Sequence, residues 1–117
     1  ALPAGFAGTS YCADIHLAAD GRFLYVSNRG HDSIAVFAVD QSSGLVELRA
    51  TPPCGGAFPR NFCLDPQGVF LLCAHQNSDS VVVWRRDAAT GGLQSTGTQV
   101  RIPRPVCVQA IAAPAAD

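Results

Sequence analysis

The sequence predicts an all-β chain organised as about two four-stranded antiparallel propeller blades, and three observations carry that prediction. The first is an internal repeat. Gly21, Phe23, Asp32, Ser33, Val36, Asp40 and Gly44 recur as Gly68, Phe70, Asp79, Ser80, Val83, Asp87 and Gly91, a period of 47 residues. Periods of about 40–50 residues belong to propeller blades or helical arrays. The second is strand chemistry: each copy holds short runs rich in Val, Ile, Phe, Tyr and Trp, none long enough for an ordinary helix. The third is that the middle runs are apolar on both alternating faces, Phe23 and Tyr25 against Leu24 and Val26, Phe70 and Leu72 against Leu71 and Cys73. A sheet with one wet face would alternate with polar residues, so these sheets are covered on both sides.

Residues 1–12 read as a leading loop or the end of a preceding blade. The first blade, 13–51, has strand-forming runs at 15–17, 23–27, 34–39 and 46–50. Asp20-Gly21 sits where a hairpin needs a residue tolerant of positive φ, and DQSSG turns the chain between the third and fourth runs. There Asp40 accepts backbone N–H bonds and Gly44 takes left-handed dihedrals. The second blade, 60–102, repeats the plan at 62–64, 69–74, 81–84 and 98–102, with Gln67-Gly68 and DAATG as its turns. The Asp32-Ser33 and Asp79-Ser80 pairs are bend residues that bond the backbone. One further strand is expected at 106–109 within the segment 103–110, ahead of an Ala- and Pro-rich tail at 111–117.

Two blades fall short of the minimum of about four that a closed ring needs. The expectation is a portion of a larger ring or, failing that, self-association over the open blade faces. Eight Lys plus Arg against nine Asp plus Glu leave no basic stripe, so nucleic acid is not an expected partner. No apolar run reaches the length of a membrane span, and the opening ALPAGFAGTS lacks the pattern of a signal peptide, so the start reads as internal or processed. Five cysteines, odd in number and without a C-x-x-C pair, suit reduced thiols and a cytoplasmic setting. A disulfide between two of them stays open to a free-thiol count. Neither the cysteines nor the three histidines show zinc-ligand spacing, so no metal and no cofactor is expected.

The segments IHLAADGRFLYVSNRGHDSIAVF, PRNFCLDPQGVFLLCAHQNSDSVVVWRRDAATGGL and IPRPVCV, in that order, resemble the C-terminal blades of the lactonase family of seven-bladed β-propellers. The resemblance covers residues 13–109. That family includes bacterial 6-phosphogluconolactonases and fungal carboxymuconate-cycloisomerizing relatives. It implies absent blades and a ring-closing role for the strand in 103–110. It also implies that Arg29 of SNRG lines a central substrate cleft and that His16 is the histidine of the I-H-x-x-x-D-G pattern. Pro59, Arg60 and the DPQG turn match further family elements. The chain departs from the pattern with Asn61 in place of a frequent histidine and His75 in place of a frequent asparagine, and the family's principal histidine and glutamate are not represented.

The residue types fit that chemistry. Arg29 ends an apolar strand, and its guanidinium offers planar donors for phosphate or carboxylate while accepting no proton. Arg29 is therefore expected as an anion anchor or electrostatic stabiliser, and His16 as a proton-transfer or orienting group, with a hydrogen-bonded blade histidine as its plainer reading. Arg60, present in one copy only, is a second clamp. Asn28, His75 and Gln76, at strand ends, are candidate substrate contacts. His31 is read as a bend residue. The expected function of the full-length protein is hydrolysis of an anionic sugar lactone, most plausibly 6-phosphogluconolactone, the 117-residue chain alone being inactive. The alternatives are a noncatalytic binding propeller and a carboxymuconate cycloisomerase.

Overall fold

A computed structural model describes residues 2–111. It contains eight strands: β1 (Tyr11–Leu17), β2 (Phe23–Arg29), β3 (Ser33–Val39), β4 (Val46–Ala50), β5 (Pro59–Leu64), β6 (Phe70–His75), β7 (Ser80–Arg86) and β8 (Leu93–Arg101). They form two four-stranded antiparallel sheets in the orders β1-β2-β3-β4 and β5-β6-β7-β8. This is the all-β, two-blade architecture expected, as in part of a seven-bladed propeller.

The turns follow their side chains. Gly21 and Gly68 both stand at φ 72°, and Gly44 and Gly91 both at φ 74°. Asp40 accepts the N–H of Ser42 and Ser43 through Oδ1, and Asp87 accepts those of Ala89 and Thr90. The Ser42 hydroxyl and these backbone donors hold the Asp40 carboxyl down at about 2. Asp32 and Asp79, at φ 58° and 53°, make the bends into β3 and β7.

Two boundaries differ from expectation. β1 begins at Tyr11, inside the stretch read as a loop, because a bulge between Cys12 and Ile15 breaks the period-two pattern. β8 begins at Leu93 rather than near 98, its polar exposed sequence carrying no burial signal. The strand expected at 106–109 has no ladder within these two blades: residues 103–110 pair with none of the eight strands. The segment lies beside β5 instead, where Asn61 Oδ1 accepts the Val108 N–H at 2.7 Å. Asn61 Nδ2 in turn donates to Asp14 Oδ2 at 2.8 Å. Asp14, Asn61 and Val108 are spaced by 47 residues, so the segment stands in repeat register with β1 and β5 but is held through a side chain, not a backbone ladder. Of the expected tail only Ile111 lies among the described residues.

One face of the first blade packs on one face of the second, since alternate residues of a strand share a face. Phe23, Tyr25, Ile34 and Val36 meet Phe62, Leu71 and Cys73, with Cys54 from the connecting loop. A polar tie crosses the same interface. Arg86 Nε donates to Tyr25 Oη at 2.7 Å, Tyr25 Oη donates to the Gly91 carbonyl at 2.8 Å, and Arg86 Nη1 donates to the Gly68 carbonyl at 3.1 Å. Burial pushes the Tyr25 phenol above its ordinary value, with the Arg86 donor opposing the shift.

Candidate functional site

β2 ends at Arg29 directly opposite Tyr11, where β1 begins. The repeat places Gln76 in register with Arg29 and Phe58 in register with Tyr11, so one end of the two blades gathers these four residues. Arg29 Nη2 donates to the Cys12 carbonyl at 3.1 Å, and its guanidinium lies over the rings of Tyr11 at 5.9 Å and Phe58 at 5.4 Å. Its Nε is buried without a hydrogen-bond partner among the described residues. Two ring faces favour a cation without consuming its N–H donors, leaving them for an anion.

The backbone around Arg29 is tightly specified. Gly30 stands at φ 100°, and a Cβ there would run into the Thr9 carbonyl oxygen. Phe58 adopts φ 66°, an outlying conformation for an aromatic residue. It is fixed by its N–H donating to Asp32 Oδ1 at 2.9 Å and its carbonyl accepting the Gln76 N–H at 3.1 Å. Arg60 is the extra residue of a bulge between Pro59 and Asn61, which leaves its side chain exposed. Arg60 Nη1 donates to Gln76 Oε1 at 3.3 Å. Arg29, Arg60 and Gln76 thus give this end of the blades two guanidiniums and a carboxamide, groups able to bind and stabilise an anion but not themselves to take up a proton.

His16 does not join that site. It pairs with Tyr25 in the ladder, four positions along β2 from Arg29, or roughly 13 Å of strand. Its Nε2 meets Asp14 Oδ2 at 3.0 Å, and its ring stands edge-on to Phe62 at 4.8 Å. The same Asp14 oxygen accepts from Asn61 Nδ2 and, at 3.2 Å, from the Phe62 N–H. His16 thus belongs to an inter-blade tie, in line with its plainer reading as a hydrogen-bonded blade histidine, with partners supplied by Asp14 and, through it, by β5.

Asn28 and His75 are fully buried, so neither presents a side chain to solvent. Both make the same kind of packing contact. Asn28 Nδ2 donates to Ser33 Oγ at 3.1 Å, and His75 Nδ1 lies 3.4 Å from Ser80 Oγ, the same position one repeat later. His31 Nδ1 lies 2.6 Å from Ser33 Oγ, with its ring edge-on to Phe6. Tyr11 and Phe58 were not singled out from the sequence, although an aromatic at the same register in both copies was a usable signal.

The five cysteines are free, but three of the chain's donors are not isolated. Cys54, Cys73 and His75, all buried, bring their ligand atoms within 4.8 Å of one another. Hydrogen bonding from Cys73, helped by His75, lowers the Cys54 thiol to about 5, and the partner thiol of Cys73 is pushed up.

Comparison with known proteins gives the family. Residues 1–110 match the family described as "Lactonase, 7-bladed beta-propeller". A 6-phosphogluconolactonase of Formosa agariphila is 51% identical over 84 residues, which is 70% of this chain and 24% of that protein. The 6-phosphogluconolactonase of Bacillus subtilis is 42% identical over 109 residues, 93% of this chain and 31% of that protein. Among solved structures, a periplasmic gluconolactonase of Pseudomonas aeruginosa superimposes with a TM-score of 0.91 at 40% identity, covering 97% of this chain and 32% of that one. The chain thus spans between a quarter and a third of the length of these relatives.

Proposed function

This chain belongs to the lactonase family of seven-bladed β-propellers, and from that premise we propose that its full-length protein hydrolyses an anionic sugar lactone, most plausibly 6-phosphogluconolactone. The observation that carries the reading is Arg29, held over Tyr11 and Phe58 with its Nε unpaired, beside Arg60 and Gln76. Arg29 anchors the anionic group or stabilises the charge that develops on the lactone carbonyl, and Arg60 is a second clamp. His16 acts through blade docking and so supports this site at a distance. Activation of the attacking water is assigned to residues of the remaining blades, because Arg29, Arg60 and Gln76 do not accept a proton. On this reading the 117-residue chain alone is inactive, since the walls that preorganise the cleft are missing.

The test is hydrolysis of 6-phosphogluconolactone and of gluconolactone by the full-length protein, corrected for spontaneous opening, with the short chain assayed beside it. A higher kcat/KM for the phosphorylated substrate is expected. Equal rates with both lactones would remove the anion-anchor role. Turnover of a carboxymuconate substrate instead, or of none, would replace the hydrolase reading with the cycloisomerase or binding-module alternative.

A further inference from the structure

Cys54, Cys73 and His75 come from three places: the loop between the blades, the interior of β6 and its last residue. All three are fully buried, and their ligand atoms converge within 4.8 Å. Two sulfurs and an imidazole nitrogen are the donor set of a soft d10 cation, with metal–sulfur distances of about 2.3 Å and metal–nitrogen distances of about 2.0–2.1 Å. Donors on one such ion stand about 4 Å apart or less, so the trio needs a modest contraction. Cys54 Sγ donates its thiol proton to the Gly56 carbonyl at 3.4 Å, a bond it gives up on deprotonation to a metal ligand.

The surroundings are built for the imidazole. His75 Nδ1 faces the Ser80 hydroxyl, and Nε2 is buried with no hydrogen-bond partner among the described residues. When Nδ1 donates to Ser80, the lone pair at Nε2 is left for a metal, the usual arrangement of a ligating histidine. Gly56 lies against the ring so closely that a Cβ there would come within 2.5 Å of His75 Cγ. Cys54 is pinned at both backbone groups: its N–H donates to the Asp32 carbonyl at 3.1 Å, and its carbonyl accepts Trp84 Nε1 at 3.0 Å. The first copy has no such set, since Ala7, Val26 and Asn28 stand one repeat before Cys54, Cys73 and His75.

We propose that Cys54, Cys73 and His75 form a buried three-ligand site for a thiophilic d10 cation, zinc(II), that ties the inter-blade loop to β6. Two thiolates on a divalent ion give a neutral group, which the dry interior accepts far better than a net charge. Binding releases the thiol protons, and nothing is oxidised or reduced.

The experiment uses the full-length protein, stripped with a chelator under reducing conditions and titrated with zinc(II), then with cobalt(II) as a spectroscopic probe. Expected are one tightly held ion per chain, a thiolate-to-cobalt charge-transfer band, and a Tm raised by zinc. Cys73→Val and Cys54→Ala, which restore the first copy's residues, should each abolish the band and the zinc-dependent rise in Tm while the protein remains folded. Lactone hydrolysis by Cys73→Val is expected unchanged, so loss of the metal site is read separately from the lactonase assignment. No bound ion, binding unaltered in both variants, or a Cys54–Cys73 disulfide found by peptide mapping of the unreduced protein would overturn the proposal.

Discussion

Arg29 and Arg86 sit in nearly the same kind of cradle and direct their donors differently. Each guanidinium lies over two aromatic rings, Tyr11 and Phe58 for Arg29, Phe23 and Tyr25 for Arg86. Arg86 is 7% exposed and directs its donors inside the protein: Nε to Tyr25 and Nη1 to the Gly68 carbonyl, while Nη2 has no hydrogen-bond partner among the described residues and faces the Asp20 carboxylate only as an ion pair at 3.5 Å. Arg29, at the open end of the blades, spends one donor on the Cys12 carbonyl. The difference teaches that the surroundings of a cation do not decide its role. What distinguishes the two is where the donors point: Arg86, buried, bonds groups across the blade interface, whereas Arg29, half-buried at the blade end, makes one backbone bond and keeps the rest of its fork uncommitted.

The comparison breaks most readily at Arg86. Arg86→Ala in the full-length protein removes the donor to the buried Tyr25 oxygen and to the Gly68 carbonyl, and at about 1–3 kcal/mol for each should lower stability by about 2–6 kcal/mol, read as a lower urea midpoint at unchanged slope. Where that variant is folded, lactone turnover should persist. A smaller loss follows at Tyr25: Tyr25→Phe keeps the ring that fills the interface but leaves Arg86 Nε and the Gly91 carbonyl unpaired, for about 1–3 kcal/mol. Of similar or smaller size is Asp14→Ala, which removes the acceptor shared by His16, Asn61 and the Phe62 N–H. It should also loosen the 103–110 segment, measured as faster amide exchange at Val108.

The smallest effect belongs to an exposed turn. The Asp40 carboxyl is held at about 2, below its ordinary 3.8, by Ser42 and Ser43. A depressed carboxylate contributes stability above its unfolded value and loses it as the pH falls through the folded one. The stability difference between the parent and Asp40→Asn should therefore be fully present above about pH 5, fall through about pH 2 and be gone near about pH 1. A difference that persists at about pH 1 would locate the effect in chain geometry and not in charge.

Local chemistry made much of this legible. Asp20-Gly21, Asp40 with Gly44, and the Asp32-Ser33 bend act within a few residues, and the repeat confirmed each by showing it twice. Arg29, Arg60 and Gln76 could be brought to one end of the blades because strand register fixes where a strand terminates. What depended on packing between blades stayed hidden. Arg86 reads in sequence as one of two arginines at a strand end, and only the neighbouring blade shows that it points inward. The partners of His16 and the convergence of Cys54, Cys73 and His75 likewise exist only once one blade face is laid on the next. Bulges at Cys12/Ile15 and Pro59/Asn61 hid the true start of β1 and the freedom of Arg60, because a bulge erases the alternation that reveals a strand.

The central claim is that Arg29 serves the substrate while Arg86 serves the fold, and one substitution tests it most directly. Arg29→Ala in the full-length protein should lower kcat/KM for lactone hydrolysis by on the order of 100-fold, with the urea midpoint shifted by less than about 1 kcal/mol in stability. Arg29→Lys should recover only part of the loss, since an ammonium restores the charge without the planar fork. Lactone hydrolysis within twofold of the parent in folded Arg29→Ala would contradict the account.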